Sequence, residues 1–147
     1  MAWTTYQQKR LAIEKQLIDV YFPDFELSSP TISTSWEGLM LTNGNNFYKI
    51  RIEIPTRYPD VHPLAYIVEP SPLLTYNGNK LIDHGTSHAM HTFEPKGEWV
   101  QMCLYNSVAW TPECTVVKCL KKARLWIEAY DKHLLTGTKM SELVGTL

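Results

Sequence analysis

Tyr48, Ile50, Ile52 and Ile54 alternate with Lys49, Arg51 and Glu53, and Pro55 ends the run. Successive side chains of a strand point to opposite sides of the pleat, so this pattern requires a sheet with one face buried and one solvated. Asn43-Gly44-Asn45-Asn46 before it is turn chemistry and predicts a hairpin with an earlier strand from Ile32 through Trp36 to Leu41. Pro55, Pro59 and Pro63 then exclude a central strand and predict an extended connection to a short strand from Leu64 to Val68.

Helices are expected at both ends of this sheet. Thr4 and Gln7 have the spacing of a capping box, and Pro23 sets the latest point at which a first helix can stop. Tyr6, Ile13, Leu17 and Val20 share one face of that helix. Thr111-Pro112-Glu113 reads as an N-cap, a first helical proline and a first-turn acid, and Gly137 reads as the C-terminal cap. Between them Val116, Leu120, Ala123, Ile127, Tyr130 and Leu134 form one apolar stripe, with Lys118, Lys121, Lys122 and Asp131 outside it. Glu69 to Met102 shows no sustained period and reads as a loop of about 30 residues, a length that is usually functional. The pattern is α+β, one domain over residues 1–147.

The formal net charge of −1 gives no electrostatic footprint for nucleic acid. No apolar run is long enough to span a bilayer, and Met1 to Gln7 carries no basic region leading into an apolar stretch, so a cytoplasmic protein is expected. Three cysteines, Cys103, Cys114 and Cys119, are an odd number for a disulfide framework and imply a reducing compartment with a free thiol.

Cys119 falls on the apolar stripe and reads as a small core residue. Cys114 is placed in the first helical turn, where unpaired N–H groups can favour a thiolate. Cys103 ends the long loop and precedes Leu104-Tyr105, a position from which a thiol can meet a partner. His84, His88 and His91 are spaced like metal ligands, but no Cys-x-x-Cys pair or helical His-Glu pattern accompanies them, and ordinary loop histidines are the simpler reading. Trp110 and Trp126 read as core, and Trp99 is left open.

Tyr48-Lys49-Ile50-Arg51-Ile52-Glu53-Ile54-Pro55, Tyr58-Pro59, His62-Pro63, Cys103-Leu104 and Trp110-Thr111-Pro112, followed by a helix, together resemble the ubiquitin-conjugating enzyme family. Met90-His91, Cys103-Leu104-Tyr105, Trp126-Ile127-Glu128-Ala129-Tyr130 and Leu135-Thr136-Gly137 are more similar to a bacterial branch of it, found in anti-phage cyclic-oligonucleotide signalling systems. The resemblance implies a ubiquitin-conjugating fold: an N-terminal helix, a four-stranded antiparallel meander, a long active-site loop and a C-terminal helix packed on the sheet. It makes Cys103 the thioester-forming nucleophile and implies a partner, the C-terminus of a cGAS-like nucleotidyltransferase. A separate activating enzyme is a second implied partner, and no cofactor or metal is needed.

The family usually carries His-Pro-Asn before the cysteine, whereas this chain has His88-Ala89-Met90-His91. His91 is the substitute donor, able to offer an imidazole N–H to an oxyanion. No Asp or Glu lies between Cys103 and Trp110 to deprotonate an incoming lysine. Two further readings stand beside the transferase: a non-catalytic partner-binding module of the same fold, and a cysteine-dependent hydrolase that needs a histidine beside the thiol and a third group to orient it.

Overall fold

A computed structural model describes residues 3–28, 34–105 and 109–144. The elements run α1 (Thr5–Tyr21), β1 (Glu26–Ser28), β2 (Thr34–Leu41), β3 (Phe47–Ile54), β4 (Leu64–Glu69), a 3-10 turn (Leu81–His84), β5 (Thr92–Lys96), β6 (Trp99–Met102), α2 (Val116–Thr136) and α3 (Met140–Val144). The fold is α+β.

One antiparallel sheet of six strands has the order β1-β2-β3-β4-β6-β5. The alternation in β3 does what its sequence requires. Tyr48, Ile50, Ile52 and Ile54 are buried, and the Tyr48 ring meets Tyr130 of α2 edge-on at 5.9 Å. On the other face Glu37 pairs with Lys49 and Arg51, each at 3.0 Å, while Glu53 pairs with Arg51 at 2.9 Å and Lys96 at 2.8 Å. The expected β2–β3 turn is present, with Asn45 at φ 64 and the Thr42 N–H donating to the Asn46 carbonyl at 2.9 Å. Ile32, the predicted start of the earlier strand, lies outside the described residues. Gly38 in β2 is obligatory, since a Cβ there would lie 2.7 Å from the Phe25 ring.

Six strands replace the expected four, and the long loop is shorter than its sequence suggested. Residues 92–102 form the β5–β6 hairpin, turned at Gly97 with φ 59. Pro95 made this stretch read as irregular. It is tolerated because β5 is the sheet's edge strand, where a missing N–H has no ladder partner to lose. The short strand β1 was also unmarked in the sequence. Instead of ending a loop, Cys103 directly follows a strand hydrogen-bonded on both sides.

The capping box at Thr4 and Gln7 forms, and α1 stops at Tyr21, before Pro23. Its buried face is not the expected one. Tyr6, Ile13 and Val20 are exposed, whereas Glu14 and Ile18 are buried and Leu11 and Leu17 partly so. The Glu14 carboxylate turns that face inward: its Oε2 accepts the Val116 N–H at 2.9 Å and the Tyr58 hydroxyl. Helix α2 likewise starts later than Thr111. Its N-cap is Thr115, whose side chain accepts the Lys118 N–H at 3.2 Å, and it ends at Gly137, φ 75, as expected. Arg10 of α1 donates to the carbonyls of Pro112 and Cys114, holding 111–114 as a turn ahead of the helix.

Candidate functional site

Cys103 and His91 lie beside each other through the backbone. The Cys103 N–H donates to the His91 carbonyl at 3.0 Å, and the Trp126 indole of α2 donates to the same oxygen at 2.9 Å. A tight loop presents His91: Ser87 exchanges backbone hydrogen bonds with Thr92, each at 3.0 Å, and the Ser87 hydroxyl accepts the Met90 N–H at 3.1 Å. The His91 backbone is left-handed, φ 59, a conformation uncommon outside glycine and asparagine and worth a reason wherever it occurs. Here it aims one carbonyl at two donors.

The segment after Cys103 is held on several sides. The Leu104 carbonyl accepts from Lys122 Nζ at 3.3 Å, and that ammonium lies 3.9 Å from the centre of the Tyr105 ring. Tyr105 packs edge-on against Trp110 at 5.0 Å and stacks with His62 at 6.4 Å. The Trp110 indole donates to the Pro59 carbonyl at 2.7 Å. Tyr58-Pro59, His62-Pro63, Cys103-Leu104-Tyr105 and Trp110-Thr111-Pro112, dispersed in the sequence, therefore converge on one cluster. His62 and Lys122 were not singled out as site residues in the sequence. Their signals, a pre-proline histidine and one of several helix lysines, are too common to stand out.

The three thiols are distinct. Cys103 is half-buried, and burial pushes its thiol up. Cys119 is 1% exposed and burial pushes it up to about 12, as fits a core residue. Cys114 is buried, yet its thiol is lowered: burial opposes ionisation, but hydrogen bonds from Thr111 and the charges of Lys118 and Lys122 outweigh it. Lys118 Nζ is 3.9 Å from its sulfur. Electrostatics thus favour the Cys114 thiolate and access favours Cys103. Cys114 sits in the turn before α2, not in its first helical turn.

Burial, and then the nearby His88, lower the His91 imidazole against a hydrogen bond to the His88 backbone that raises it. The ring is therefore neutral near pH 7. Its Nδ1 is buried without a partner. Either tautomer leaves Nδ1 without a partner, and either carries one N–H. The rings of His88 and His91 are 6.2 Å apart, and among the described residues no group of three or more His, Cys, Asp and Glu side chains could hold a metal ion. No helix among the described residues is long and apolar enough to cross a membrane. Trp110 and Trp126 are core residues, as expected, while Trp99 is partly buried beneath the Arg51 guanidinium.

Comparison with family models, with curated proteins and with solved structures gave no match.

Proposed function

We propose that the chain is a bacterial ubiquitin-conjugating-like transferase in which Cys103 carries a protein C-terminus as a thioester and passes it to an amine. The observation that carries this reading is the convergence of the dispersed motif residues on the segment flanking a half-exposed thiol. The α+β arrangement of helix, antiparallel sheet and helix is compatible with it. The carried protein in this reading is a cGAS-like nucleotidyltransferase, the setting is anti-phage defence in the cytoplasm, and a separate activating enzyme or a preactivated partner supplies the acyl group.

The chemistry needs only side chains of this chain. The Cys103 thiolate attacks the activated carbonyl, and the leaving group departs to give the thioester. An amine then attacks the same carbon, and the thiolate leaves. A neutral His91 imidazole, donating its N–H, is the group for the oxyanion in both steps. The hydrolase reading is weaker, because burial alone shifts the Cys103 thiol and no histidine acts on it. The binding-module reading leaves the thiol and its supported loop without a use.

The test is the intact mass, without reductant, of the protein recovered from its native host. Wild type should carry an added protein mass that reductant removes, and Cys103→Ala should carry none. Cys103→Lys, given the activating system and carrier, should trap a reductant-resistant adduct at residue 103. Absence of any adduct on both wild type and Cys103→Lys refutes the carrier role.

A further inference from the structure

Helix α2 buries one face on the sheet and turns the other outward. The outer face of such a helix is ordinarily polar. Here it carries Leu125, 57% exposed, and Leu135, 82% exposed, with Glu128 and Lys132 between them. At 3.6 residues per turn these four side chains fall within an arc of about 80°, a single stripe. Its order is a palindrome. Leu125 and Leu135 each stand five residues from Tyr130, and Glu128 and Lys132 each stand two.

The two charges of the stripe do not neutralise each other. Glu128 and Lys132 have the i,i+4 spacing, acid first, that favours a pair within one helix. The Glu128 Oε1 instead accepts the Asn43 N–H at 2.7 Å and pairs with Arg124 at 3.2 Å, which fixes the acid on the surface. The exposed Lys132 ammonium has no hydrogen bond or ion pair among the described residues.

We propose that this face docks a second copy of the chain, with the two α2 helices antiparallel. In a twofold pair, residue i of each copy meets residue j of the other. Centred on Tyr130, Leu125 of each copy lies beside Leu135 of the other, and Glu128 of each lies beside Lys132 of the other. Both leucines are covered and both charges gain an opposite neighbour. Parallel helices in register would set Glu128 against Glu128 and Lys132 against Lys132, which repel. The twofold axis runs across the helix pair, so the grooves between α2 and α3 of the two copies, lined by Leu125, Ala129, Leu143 and Val144, adjoin and widen the apolar contact. Trp126, whose indole holds the His91 carbonyl beside Cys103, is buried on the far side of α2, and the contact leaves each candidate site open. None of this depends on what Cys103 carries.

The test is sedimentation velocity of the purified full chain over concentrations from about 5 to 500 µM. The stripe reaches over ten residues, about 15 Å of helix, so the contact is small and a dissociation constant on the order of 10–100 µM is expected. Wild type should pass from monomer to dimer across the series. Leu135→Lys should weaken association by about tenfold or more. Glu128→Lys alone sets a lysine against Lys132, and Lys132→Glu alone sets a glutamate against Glu128, so each should stay monomeric. Mixed in equal amounts, the two variants should form a heterodimer of near wild-type affinity, because each supplies the charge that the other lacks. That recovery also shows that both are folded. Wild type that stays monomeric at the highest concentration overturns the proposal and leaves the face to a different partner. Leu135→Lys and Lys132→Glu break no ion pair or hydrogen bond of their own side chains within the chain, so a dimer that persists unchanged in them also overturns it. Charge variants with wild-type circular dichroism that remain monomeric when mixed refute the antiparallel register.

Discussion

The Glu14 carboxylate of α1 accepts the backbone N–H of Val116, the first residue of α2, at 2.9 Å. One fully buried side chain thereby supplies an acceptor for an unpaired helix N-terminus, joins two helices distant in sequence and receives the Tyr58 hydroxyl. The Arg10 guanidinium lies 3.9 Å from it and binds the turn that precedes α2. Removing the acid strands these donors in the interior. Glu14→Ala should cost about 3–5 kcal/mol by urea unfolding, the range for breaking a buried pair. Glu14→Gln keeps an oxygen acceptor and should cost clearly less. Equal losses in the two variants would show that packing, not the acceptor, is what Glu14 provides.

Local rules carried the sequence reading wherever the residues deciding an element lie inside it. The β3 alternation, the Thr4–Gln7 box and the Gly137 cap are decided by neighbours in the chain. Three features are decided by distant residues. Glu14 outweighs the apolar stripe of Tyr6, Ile13 and Val20 because its acceptor is needed at Val116. Arg10 takes the Pro112 and Cys114 carbonyls and delays α2 from Thr111 to Thr115. Pro95 conceals β5 because only tertiary position tells an edge strand from a loop. The thiol at the candidate site was legible as a residue type in a particular place. The contacts of Lys122 and His62 were not, since spacing does not reveal which helix face meets which loop.

Alkaline pH should destabilise the fold. Burial first, together with neighbouring acids, raises the hydroxyls of Tyr48 (beside Asp131) and Tyr58 (beside Glu14), and burial raises Tyr130 to about 12 and the Cys119 thiol to about 12. Unfolded tyrosine and cysteine release their protons near pH 10 and about 8.5. Above those values the native state holds more protons than the unfolded state, so the stabilisation present below them is lost as pH rises toward the native values. The urea midpoint should fall steadily from about pH 9 upward, with tyrosinate absorbance rising alongside the loss of structure. A midpoint that stays constant while tyrosinate forms would show that these hydroxyls ionise without unfolding.

Alkylation separates the thiols. Above its lowered value Cys114 gains no further thiolate, while Cys103, raised by burial, continues to gain it. The ratio of Cys103 to Cys114 labelling by iodoacetamide should therefore increase with pH between about 7 and 9.5, whatever their relative access, because access cancels in the trend. Cys119, 1% exposed, should label only after unfolding. Peptide mass mapping reads all three, and a falling ratio would place an unrecognised positive charge beside Cys103.

His91 separates backbone from side chain. Its carbonyl, which serves Cys103 and Trp126, survives any substitution, but its φ of 59 does not suit every residue. Asparagine tolerates the left-handed region and brings an amide donor, whereas alanine brings no donor and adds strain on the order of 1 kcal/mol. With thioester preformed on Cys103, His91→Asn should discharge to an amine at close to the wild-type rate, and His91→Ala should be slower by about 10²-fold, the usual loss for one oxyanion donor. The neutral ring also fixes the pH response. Burial holds its imidazole below the ordinary histidine range, so the ring stays a donor from neutral pH upward and remains one when protonated. Once the ionisation of the attacking amine is accounted for, the discharge rate should show no loss as pH falls below the ordinary histidine range. A loss there that disappears in His91→Asn would make the imidazole a base that takes the amine's proton, not a donor to the oxyanion.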